Sequence, residues 1–476
     1  MSLAAPGPVM SSDTSLKGQV DLQRAAFRAE PYPTLEARLE RLSMLERGLV
    51  DRQEDLVAAI REDFGSRSRH ETLAAEVFGS LSTIRWLRDR LAGWMRPRSR
   101  SIGWLFKPAR GEVRHQPKGV VGVISPWNYP VYLSLPPLAT ALAAGNRVML
   151  KPSEITPRTS RLLAEILAVF PSDLVSVVQG GVSIGQEFSR QRWDHLMYTG
   201  STAVGRKVLA AAAENLVPCT LELGGKSPVI IHPSFPLAKA AARVVFGKLY
   251  NAGQTCLAPD YALLPRGRVQ EFVDAVRAQT AKLYPNMRDN PDYTAIINDR
   301  HLGRLQGVLD DAAQRGARLI EVNPSGEDLG GSGKLPLTLV VDAPNDATVL
   351  QDEIFGPILP IIAYDTLDEA IAYVNDRPRP LALYYFDRDP GRQQHVLDRT
   401  HSGGACLNEV LLHAVQDELP FGGIGPSGMG SYHGEEGLET FSHRKAVMYQ
   451  SRLAGASLLN PPYGALIDRL LRGLIG

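Results

Sequence analysis

Hydrophobic residues recur at helical spacing in the N-terminal part of the chain, from about Tyr32 to Met95. The leucines are three or four positions apart, with Arg and Glu between them, at Leu35, Leu39, Leu42, Leu45 and Leu49. This spacing is typical of helices with one apolar face. We therefore predict an amphipathic helical region that packs against a larger part of the protein.

From Val120 onward, short apolar runs alternate with helical segments. The runs VVGVIS, RVMLK, LVSVVQG and HLMYTG predict buried strands, and SRLLAEILAVF and VGRKVLAAAAENL predict helices between them. A second series begins near Leu223, with helices over 238–250 and 270–283 and strands at PVIIH, ARLIEV, LTLVVDA, LPIIAY, LALYYF and GGACLN. This alternation predicts an α/β fold with two parallel sheets covered by helices, divided at Gly224-Gly225.

The two ends of the chain and one glycine-rich stretch lack this alternation. Residues 1–20 predict a flexible tail, and the seven glycines from Glu418 to Ser442 predict an extended arm or loop. Near the C terminus, one helical stripe is formed by Leu466, Ile467, Leu470, Leu471 and Leu474. It is too short to span a membrane. Two interpretations stay open: a contact within the protein or with another subunit, and a weak contact with a membrane surface.

Composition narrows the function classes. The 476 residues carry a net charge of +1, so no basic excess is present to bind nucleic acid. No apolar stretch approaches the roughly 20 residues that cross a bilayer, so we expect no transmembrane segment. The three cysteines form no CxxC pair, which favours a reducing cytoplasm over a disulfide framework. The histidines are scattered, and no metal site is predicted.

Cys256 is the cysteine whose surroundings favour chemistry. It lies in NAGQTCLAP, after an apolar helical segment, and Gly253 and Pro259 indicate a turn that would expose its sulfur to a cleft. Cys219 and Cys406 lie in strand-like segments and are interpreted as buried small hydrophobic residues. The local sequence leaves Cys256 open between a buried thiol and a nucleophile.

Glu222 is a carboxylate in an apolar strand, within TLELGGK. Burial would raise the pKa of this carboxyl group and make it a candidate base near neutral pH. An ion pair with Lys226 is the structural alternative. Gly224-Gly225 would let the backbone pass close to a ligand.

Glycine-rich segments offer candidate cofactor contacts. GSTAVGRK, at 200–207, follows a strand and opens a helix, which suits a phosphate at a helix N-terminus. GIGPSG, at 423–428, matches the dinucleotide fingerprint by letter, but it follows a loop and opens no helix, so we reject it. GGVSIG, at 180–185, predicts a loop near the same crevice.

Two more segments, SPWNYP at 125–130 and KPSE at 151–154, each follow a strand end, where open α/β sheets bind ligands. Asn128 is a candidate to donate its amide to an oxyanion. Lys151 and Glu154 are candidates to hold ribose hydroxyls. Taken singly, each residue also fits an ordinary turn or surface position.

Taken together and in order, these segments resemble the aldehyde dehydrogenase superfamily. The resemblance covers roughly residues 30–450 and rests on SPWNYP, KPSE, TGSTAVG, LELGGK, GQTC, EIFGP and LPFGGIGPSGMG. The separation of Glu222 and Cys256, 256 − 222 = 34 residues, is also like the family's. The ending PSGMGSYHGEEGLETFSHRKAV is most similar to the class 3 branch, which includes fatty-aldehyde and coniferyl-aldehyde dehydrogenases.

The resemblance implies an architecture of three parts. A Rossmann-variant cofactor domain would comprise 21–97 and 118–223, and a catalytic domain 224–415. An oligomerisation arm would comprise 98–117 and 416–445. A flexible tail (1–20) and a C-terminal tail with a short amphipathic helix (446–476) would flank them. A cytoplasmic homodimer is expected.

The resemblance also implies roles for single residues. Cys256 would attack the aldehyde carbon to give a thiohemiacetal, whose oxyanion the Asn128 amide and the Cys256 N–H would stabilise. Glu222 would activate water to hydrolyse the resulting thioester. Glu353 and Phe355 match the position that holds the nicotinamide ribose. Adenosine and pyrophosphate contacts are matched by Trp127, Lys151, Glu154, Gly200, Ser201 and Gly205.

Cofactor and substrate follow from the same resemblance. Glu154 would accept hydrogen bonds from the adenine ribose and repel a 2′-phosphate, so NAD is expected to be preferred, with NADP as the alternative. The expected substrate is an aromatic aldehyde such as coniferyl aldehyde, or a medium- to long-chain aliphatic one. Competing interpretations are a CoA-acylating aldehyde dehydrogenase, a cofactor-free thiol hydrolase and a non-catalytic structural or ligand-binding relative.

Overall fold

The computed structural model describes residues 15–453 and 460–476. Its first part is helical, as the leucine spacing predicts, with Leu42, Leu45 and Leu49 buried. A π-helical segment covers Thr72–Phe78. The α-helices of this part are α1 (Leu16–Ala29), α2 (Leu35–Asp51), α3 (Gln53–Phe64), α4 (Arg69–Glu71) and α5 (Gly79–Trp94).

The predicted flexible tail over residues 1–20 is wrong for its last five residues. Helix α1 begins at Leu16, and the Ser15 side chain accepts a hydrogen bond from Gly18 N at 3.1 Å. Leu16 and Val20 are buried against the apolar face of a sheet, which is the physical reason for the helix. Residues 1–14 lie outside the described residues.

Strands and helices alternate through the next part of the chain. The elements are β1 (Arg98–Arg100), β2 (Arg110–Pro117), β3 (Val120–Ile124), α6 (Leu135–Ala143), β4 (Arg147–Lys151), α7 (Pro157–Leu167), β5 (Val175–Val177), α8 (Val182–Ser189), β6 (His195–Gly200), α9 (Thr202–Ala213) and β7 (Cys219–Leu223). The predicted loop GGVSIG therefore opens a helix, α8.

The second alternating series follows Gly224-Gly225. Its elements are β8 (Pro228–Ile231), α10 (Leu237–Leu249), β9 (Tyr261–Pro265), α11 (Val269–Leu283), α12 (Asp299–Gln314), β10 (Arg318–Val322), β11 (Leu337–Val341), α13 (Thr348–Gln351), β12 (Ile358–Tyr364), α14 (Leu367–Asn375), β13 (Ala382–Phe386), α15 (Pro390–Arg399) and β14 (Gly404–Leu407). The C-terminal elements are β15 (Gly428–Met429), α16 (Gly434–Thr440), β16 (Ser442–Tyr449) and α17 (Ala465–Ile475).

The strands form three sheets. The first has the order β15-β7-β6-β3-β4-β5 and is parallel except for β15. The second has the order β10-β11-β12-β9-β8-β13-β14 and is parallel except for β10. The third is antiparallel, β1-β2-β16. The predicted α/β fold with two mainly parallel sheets is confirmed, and Gly224-Gly225 lies where the chain passes from the first sheet to the second.

Two predictions near the C terminus need correction. The stretch from Glu418 to Ser442 is not wholly an arm or loop, because helix α16 forms within it and buries Leu438. The predicted boundary at residue 445 cuts strand β16, whose pairing with β2 runs from Ser442 to Tyr449. Local glycine content concealed both elements, since they are stabilised by distant partners.

The predicted C-terminal helix is present as α17. In it Ile467 is buried, whereas the other members of the predicted stripe, from Leu466 to Leu474, stay exposed. In the described part of the chain, no helix is long and apolar enough to cross a membrane.

Candidate active site

A cleft lies at the carboxyl ends of the parallel strands of the first sheet, where ligands bind in α/β proteins. It holds about 750 Å³ of empty space, part of it open to solvent. Eight predicted site residues line it, which are Trp127, Asn128, Gly200, Ser201, Glu222, Cys256, Glu353 and Phe355. Residues that are far apart in sequence are therefore brought to one place.

Cys256 follows a turn in a strained conformation. The preceding residues Asn251, Ala252 and Gly253 have φ values of 52°, 51° and 74°, a left-handed run that is unusual for side chains other than glycine. The buried Gln254 side chain anchors the turn, donating to the carbonyls of Asn251 and Ala295 at 3.1 and 3.0 Å. Such anchoring holds the cysteine loop in one position.

The Asn128 side chain lies beside this loop. Its amide nitrogen donates to the Gln254 carbonyl oxygen at 3.1 Å, and the residue is 3% exposed. An amide nitrogen carries two hydrogens. One is used by Gln254, and the second remains for an acceptor in the cleft.

Glu222 lies on β7 between two neighbouring strands and is buried. Neither carboxylate oxygen has a hydrogen-bond partner among the described residues, and burial raises the pKa of this group well above its ordinary value. The ion pair with Lys226 is ruled out. Lys226 Nζ instead contacts the Asp260 carboxylate and donates to the carbonyls of Val349 and Asp352 at 2.9 and 2.8 Å.

Burial also governs the Cys256 thiol. Burial, together with smaller contributions from the carboxyl groups of Glu353 and Glu222, raises the pKa of the thiol to about 12. The thiol is therefore protonated at neutral pH and must lose its proton during any attack. Cys219 and Cys406 were expected to be buried, but both are partly exposed on strands and neither lines the cleft.

Glu353 and Phe355 enter the cleft from the segment after α13. Asp260 Oδ1 accepts from Ile354 N at 2.9 Å and so fixes this segment. Burial raises the pKa of Glu353 to about 8, and within the described part of the chain its buried Oε1 has no hydrogen-bond partner. A Cβ at Gly224 would collide with the Glu353 carboxylate, so a larger residue there would displace this carboxylate from its place in the cleft.

The other three predicted residues lie away from the cleft. Lys151 and Glu154, at the end of β4, form an ion pair with Nζ 3.0 Å from Oε2. Gly205 is buried within α9, and a Cβ there would come within 2.6 Å of Leu223. All three remain near the carboxyl ends of the strands of the first sheet, because Lys151 and Glu154 lie at the end of β4 and Gly205 lies in the first turn of α9, which follows β6.

The rejected fingerprint GIGPSG has another place. Leu223 N donates to the Ser427 carbonyl at 3.0 Å, and Gly428 pairs with Glu222. The segment therefore lies along the strand that carries Glu222, and it does not join a strand to a helix.

Helix α12 supplies two cleft residues that the sequence analysis missed. His301 has a buried Nε2 that no described residue hydrogen-bonds, and burial lowers the pKa of its imidazole to about 4. Its ring lies 5.0 Å from that of Trp127. Arg304 contacts the Ile354 carbonyl. The apolar spacing of Leu302, Leu305, Val308, Leu309 and Ala312 would have indicated the helix, but no local signal places it over the cleft.

Comparisons with known proteins agree with this site. A model of the aldehyde dehydrogenase family matches residues 12–447. A protein of Pseudomonas aeruginosa named "Probable coniferyl aldehyde dehydrogenase" is 53% identical over 94% of this chain and 94% of its own length. The coniferyl aldehyde dehydrogenase of a Pseudomonas species is 47% identical over 97% and 96%. Aldehyde dehydrogenase family 3 member A2 of the mouse is 40% identical over 93% and 90%.

Solved structures agree in the same way. The substrate-bound AldH of Staphylococcus aureus superposes with a TM-score of 0.92 at 34% identity, over 97% of this chain and all of that one. An aldehyde dehydrogenase of Mycobacterium tuberculosis, complexed with NAD+, gives 0.81 at 32% identity over 90% and 88%. The resemblance seen in the motifs, including its class 3 character, is thereby confirmed. The chain belongs to the aldehyde dehydrogenase family and is an oxidoreductase that acts on aldehydes.

Proposed function

We propose that this chain oxidises an aldehyde to the carboxylic acid through a thioester on Cys256, which water hydrolyses with Glu222 as general base. The observation that carries the proposal is the convergence of the Cys256 thiol, the Asn128 amide and an unpaired, buried Glu222 carboxyl in one cleft. Burying a carboxyl group without a hydrogen-bond partner destabilises the fold, so such a group in a cleft indicates a functional role.

In the proposed first half-reaction, the Cys256 sulfur bonds to the aldehyde carbon, and the thiol proton passes to a base in the cleft. The free hydrogen of the Asn128 amide and the Cys256 N–H hold the oxygen that becomes negative. The nicotinamide cofactor, when bound, accepts the hydride that leaves this carbon. Breaking the C–H bond leaves a thioester on Cys256.

In the second half-reaction, Glu222 removes a proton from water, and the hydroxide adds to the thioester carbon. The C–S bond then breaks and the acid leaves. Overall, one aldehyde, one oxidised cofactor and one water are consumed, and one acid, one reduced cofactor and one proton are formed. A CoA-acylating enzyme would not need this base, so the unpaired Glu222 favours hydrolysis.

The residues present fit a nicotinamide dinucleotide. The orphaned Oε1 of Glu353 is an acceptor that a ribose hydroxyl would satisfy. Ser201 caps the N-terminus of α9, with its side chain accepting from Val204 N at 3.4 Å, and faces the cleft. We propose NAD as the preferred cofactor, supported by the Glu154 carboxylate and by the NAD+ complex of the M. tuberculosis relative.

Replacing Glu154 tests the cofactor preference. Glu154→Gln is expected to raise the ratio of kcat/KM for NADP to that for NAD by roughly tenfold, because the carboxylate that repels a 2′-phosphate is gone. Initial rates with both cofactors measure the ratio. Glu165→Gln, at an exposed carboxylate on α7, is the matched control and should leave the ratio unchanged. An unchanged ratio in Glu154→Gln would contradict the assignment.

For the substrate we propose an aromatic aldehyde of the coniferyl type. The proposal is supported by the names of the Pseudomonas relatives, two of which are called coniferyl aldehyde dehydrogenases.

A panel of aldehydes tests the proposed function. NADH formation is expected with coniferyl aldehyde at a higher kcat/KM than with medium- and long-chain aliphatic aldehydes, and NAD is expected to be used better than NADP. Product analysis should find the free acid, with and without CoA. Absence of NADH with every aldehyde would overturn the function. Equal efficiency with both cofactors would overturn the preference.

The domain limits and the assembly also stay proposals. The antiparallel sheet β1-β2-β16 unites the segments predicted as the oligomerisation arm and supports its role in a homodimer. Three free cysteines support the proposed cytoplasmic location. The exposed stripe of α17 is available to a subunit or to a membrane surface.

A further inference from the structure

A buried ion pair lies behind the loop that carries Asn128. Arg67 lies in the segment that connects α3 and α4, and Glu76 lies in the π-helical segment Thr72–Phe78. Both side chains are fully buried, with Arg67 Nη2 3.5 Å from Glu76 Oε1. A buried pair is often no more stabilising than packed apolar residues of the same size, so stability alone does not explain it. π-Helical turns are frequent at functional sites.

The pair holds the segment from Asn128 to Tyr132 at both ends. Arg67 Nη1 donates to the Asn128 carbonyl oxygen at 2.7 Å. Glu76 Oε2 accepts from Val131 N at 2.9 Å and from Tyr132 N at 2.8 Å. The backbone of this segment is therefore fixed by the Arg67 guanidinium as donor and by the Glu76 carboxyl group as acceptor, and a hydrogen bond from a charged donor is stronger than one between neutral groups.

Aromatic rings fix the guanidinium itself. The Arg67 guanidinium carbon lies 4.7 Å from the ring centroid of Phe64 and 4.9 Å from that of Tyr129. The Tyr129 hydroxyl lies 2.7 Å from Thr255 Oγ1, one residue before Cys256. Arg67 thus packs against a side chain that reaches the cysteine loop.

Glu71 extends the same cluster to the strained turn. Its Oε2 accepts from Asn251 N at 2.9 Å. Asn251 Nδ2 lies 3.1 Å from both the Asn128 carbonyl oxygen and the Gln254 carbonyl oxygen. The loops of Asn128 and Cys256 are therefore held to each other and to the N-terminal helices.

We propose that Arg67, with Glu76 as its counter-ion, is a positioning residue that aims the Asn128 amide at the oxyanion formed on Cys256. Arg67 does not line the cleft, so it acts through Asn128. The inference rests on the proposed role of Asn128. Without the charged donor, the Asn128 peptide is free to shift, and a displacement of about 1 Å is enough to slow a reaction roughly 100-fold.

A double-mutant cycle tests the proposal. The variant Arg67→Met/Glu76→Gln removes both charges and leaves the glutamine oxygen to accept from Val131 and Tyr132, which avoids a lone buried charge. Its kcat for aldehyde oxidation is expected to fall roughly 10- to 100-fold with KM little changed. In an Asn128→Ala background the same pair of changes should cost less than about threefold, because coupled residues are not additive.

Arg38→Met is the matched control. Arg38 is also buried and donates to the carbonyls of Pro33 and Ala143 at 3.0 and 3.1 Å, in the same helical region. The variant Arg38→Met should therefore lower the melting temperature of the protein without lowering its kcat. Alkylation of Cys256 by iodoacetamide forms no oxyanion, so its rate should be unchanged in the Arg67→Met/Glu76→Gln variant.

The outcomes separate the two proposals. An equal fall of kcat with and without Asn128, or an unchanged kcat, overturns the role of Arg67. A wild-type chain that oxidises no aldehyde overturns the proposed function. If the double variant does not fold, Arg67→Lys keeps the charge but not the fork of donors. Its loss of kcat should be smaller and should again disappear in Asn128→Ala.

Discussion

Cys256→Ala is expected to abolish NADH formation from any aldehyde, lowering kcat by at least about 10⁴-fold, because none of the other described cleft residues carries a thiol that could form the thioester. The thiol lines the cleft and is partly exposed, so its loss leaves no sealed cavity, and the variant should fold like the wild type. NADH fluorescence measures the rate. A circular dichroism melt confirms the fold.

The chain offers two matched controls for this experiment. Cys219→Ala and Cys406→Ala remove thiols of similar exposure that lie on strands outside the cleft. Both should oxidise aldehydes at the wild-type rate. If Cys256→Ala kept its activity, or if a control lost as much, Cys256 would not be the nucleophile.

Glu222→Gln is expected to stop the reaction after one turnover. Burial raises the pKa of Glu222 and neither of its oxygens has a hydrogen-bond partner among the described residues, so the isosteric amide breaks no ion pair. The first NADH should form in an amount close to one per Cys256. Steady-state turnover should then fall roughly 10²- to 10⁴-fold, since the general base is missing. Rapid-mixing fluorescence and the intact mass of the acylated protein measure the two effects.

The pH profile sharpens this prediction. A base acts only when ionised, and a raised pKa means that the ionised fraction of Glu222 still grows with pH above the range in which an ordinary carboxyl group is already ionised. Wild-type deacylation should therefore increase with pH, whereas Glu222→Gln should lose this dependence. Hydroxylamine, a nucleophile that needs no base, should restore turnover. A variant without a burst would place Glu222 in the first half-reaction, and a wild-type product carrying CoA would favour the acylating alternative.

The site shows where sequence reasoning reached its limit. The surroundings of Cys256 indicated a turn, but only the neighbouring Asn128 and Glu222 distinguish it from the other thiols. Lys226 is four positions from Glu222 and was a reasonable partner by proximity in sequence. Its side chain instead pairs with Asp260, because β7 ends before Lys226 and the chain turns into the second sheet.

Local pattern alone determined most of the helices and strands of this protein, and hence its α/β class. Apolar residues recur every second position in strands and every three to four positions in helices, because each element buries one face or both. This spacing is present within each segment and needs no knowledge of the rest of the chain. The motifs, in their order along the chain, also indicated the family, since each is a short contiguous segment that can be recognised without knowing what it contacts. Glu353 and Phe355, for example, are recognised from EIFGP without knowledge of their neighbours.

Tertiary structure alone decided which residues lie together in the cleft and which buried residues fix the loops around it. Helix α12 brings His301 to Trp127, and the buried Arg67 reaches the Asn128 peptide across 61 positions of sequence. Tertiary contacts also set the start of α1 at Leu16, which packs on residues of the first sheet. They likewise set the extent of β16, which pairs with the distant strand β2. The physical reason is the same throughout. Burial, pKa and hydrogen bonding depend on atoms from separate segments, and no local spacing specifies which segments the folded sheets place side by side.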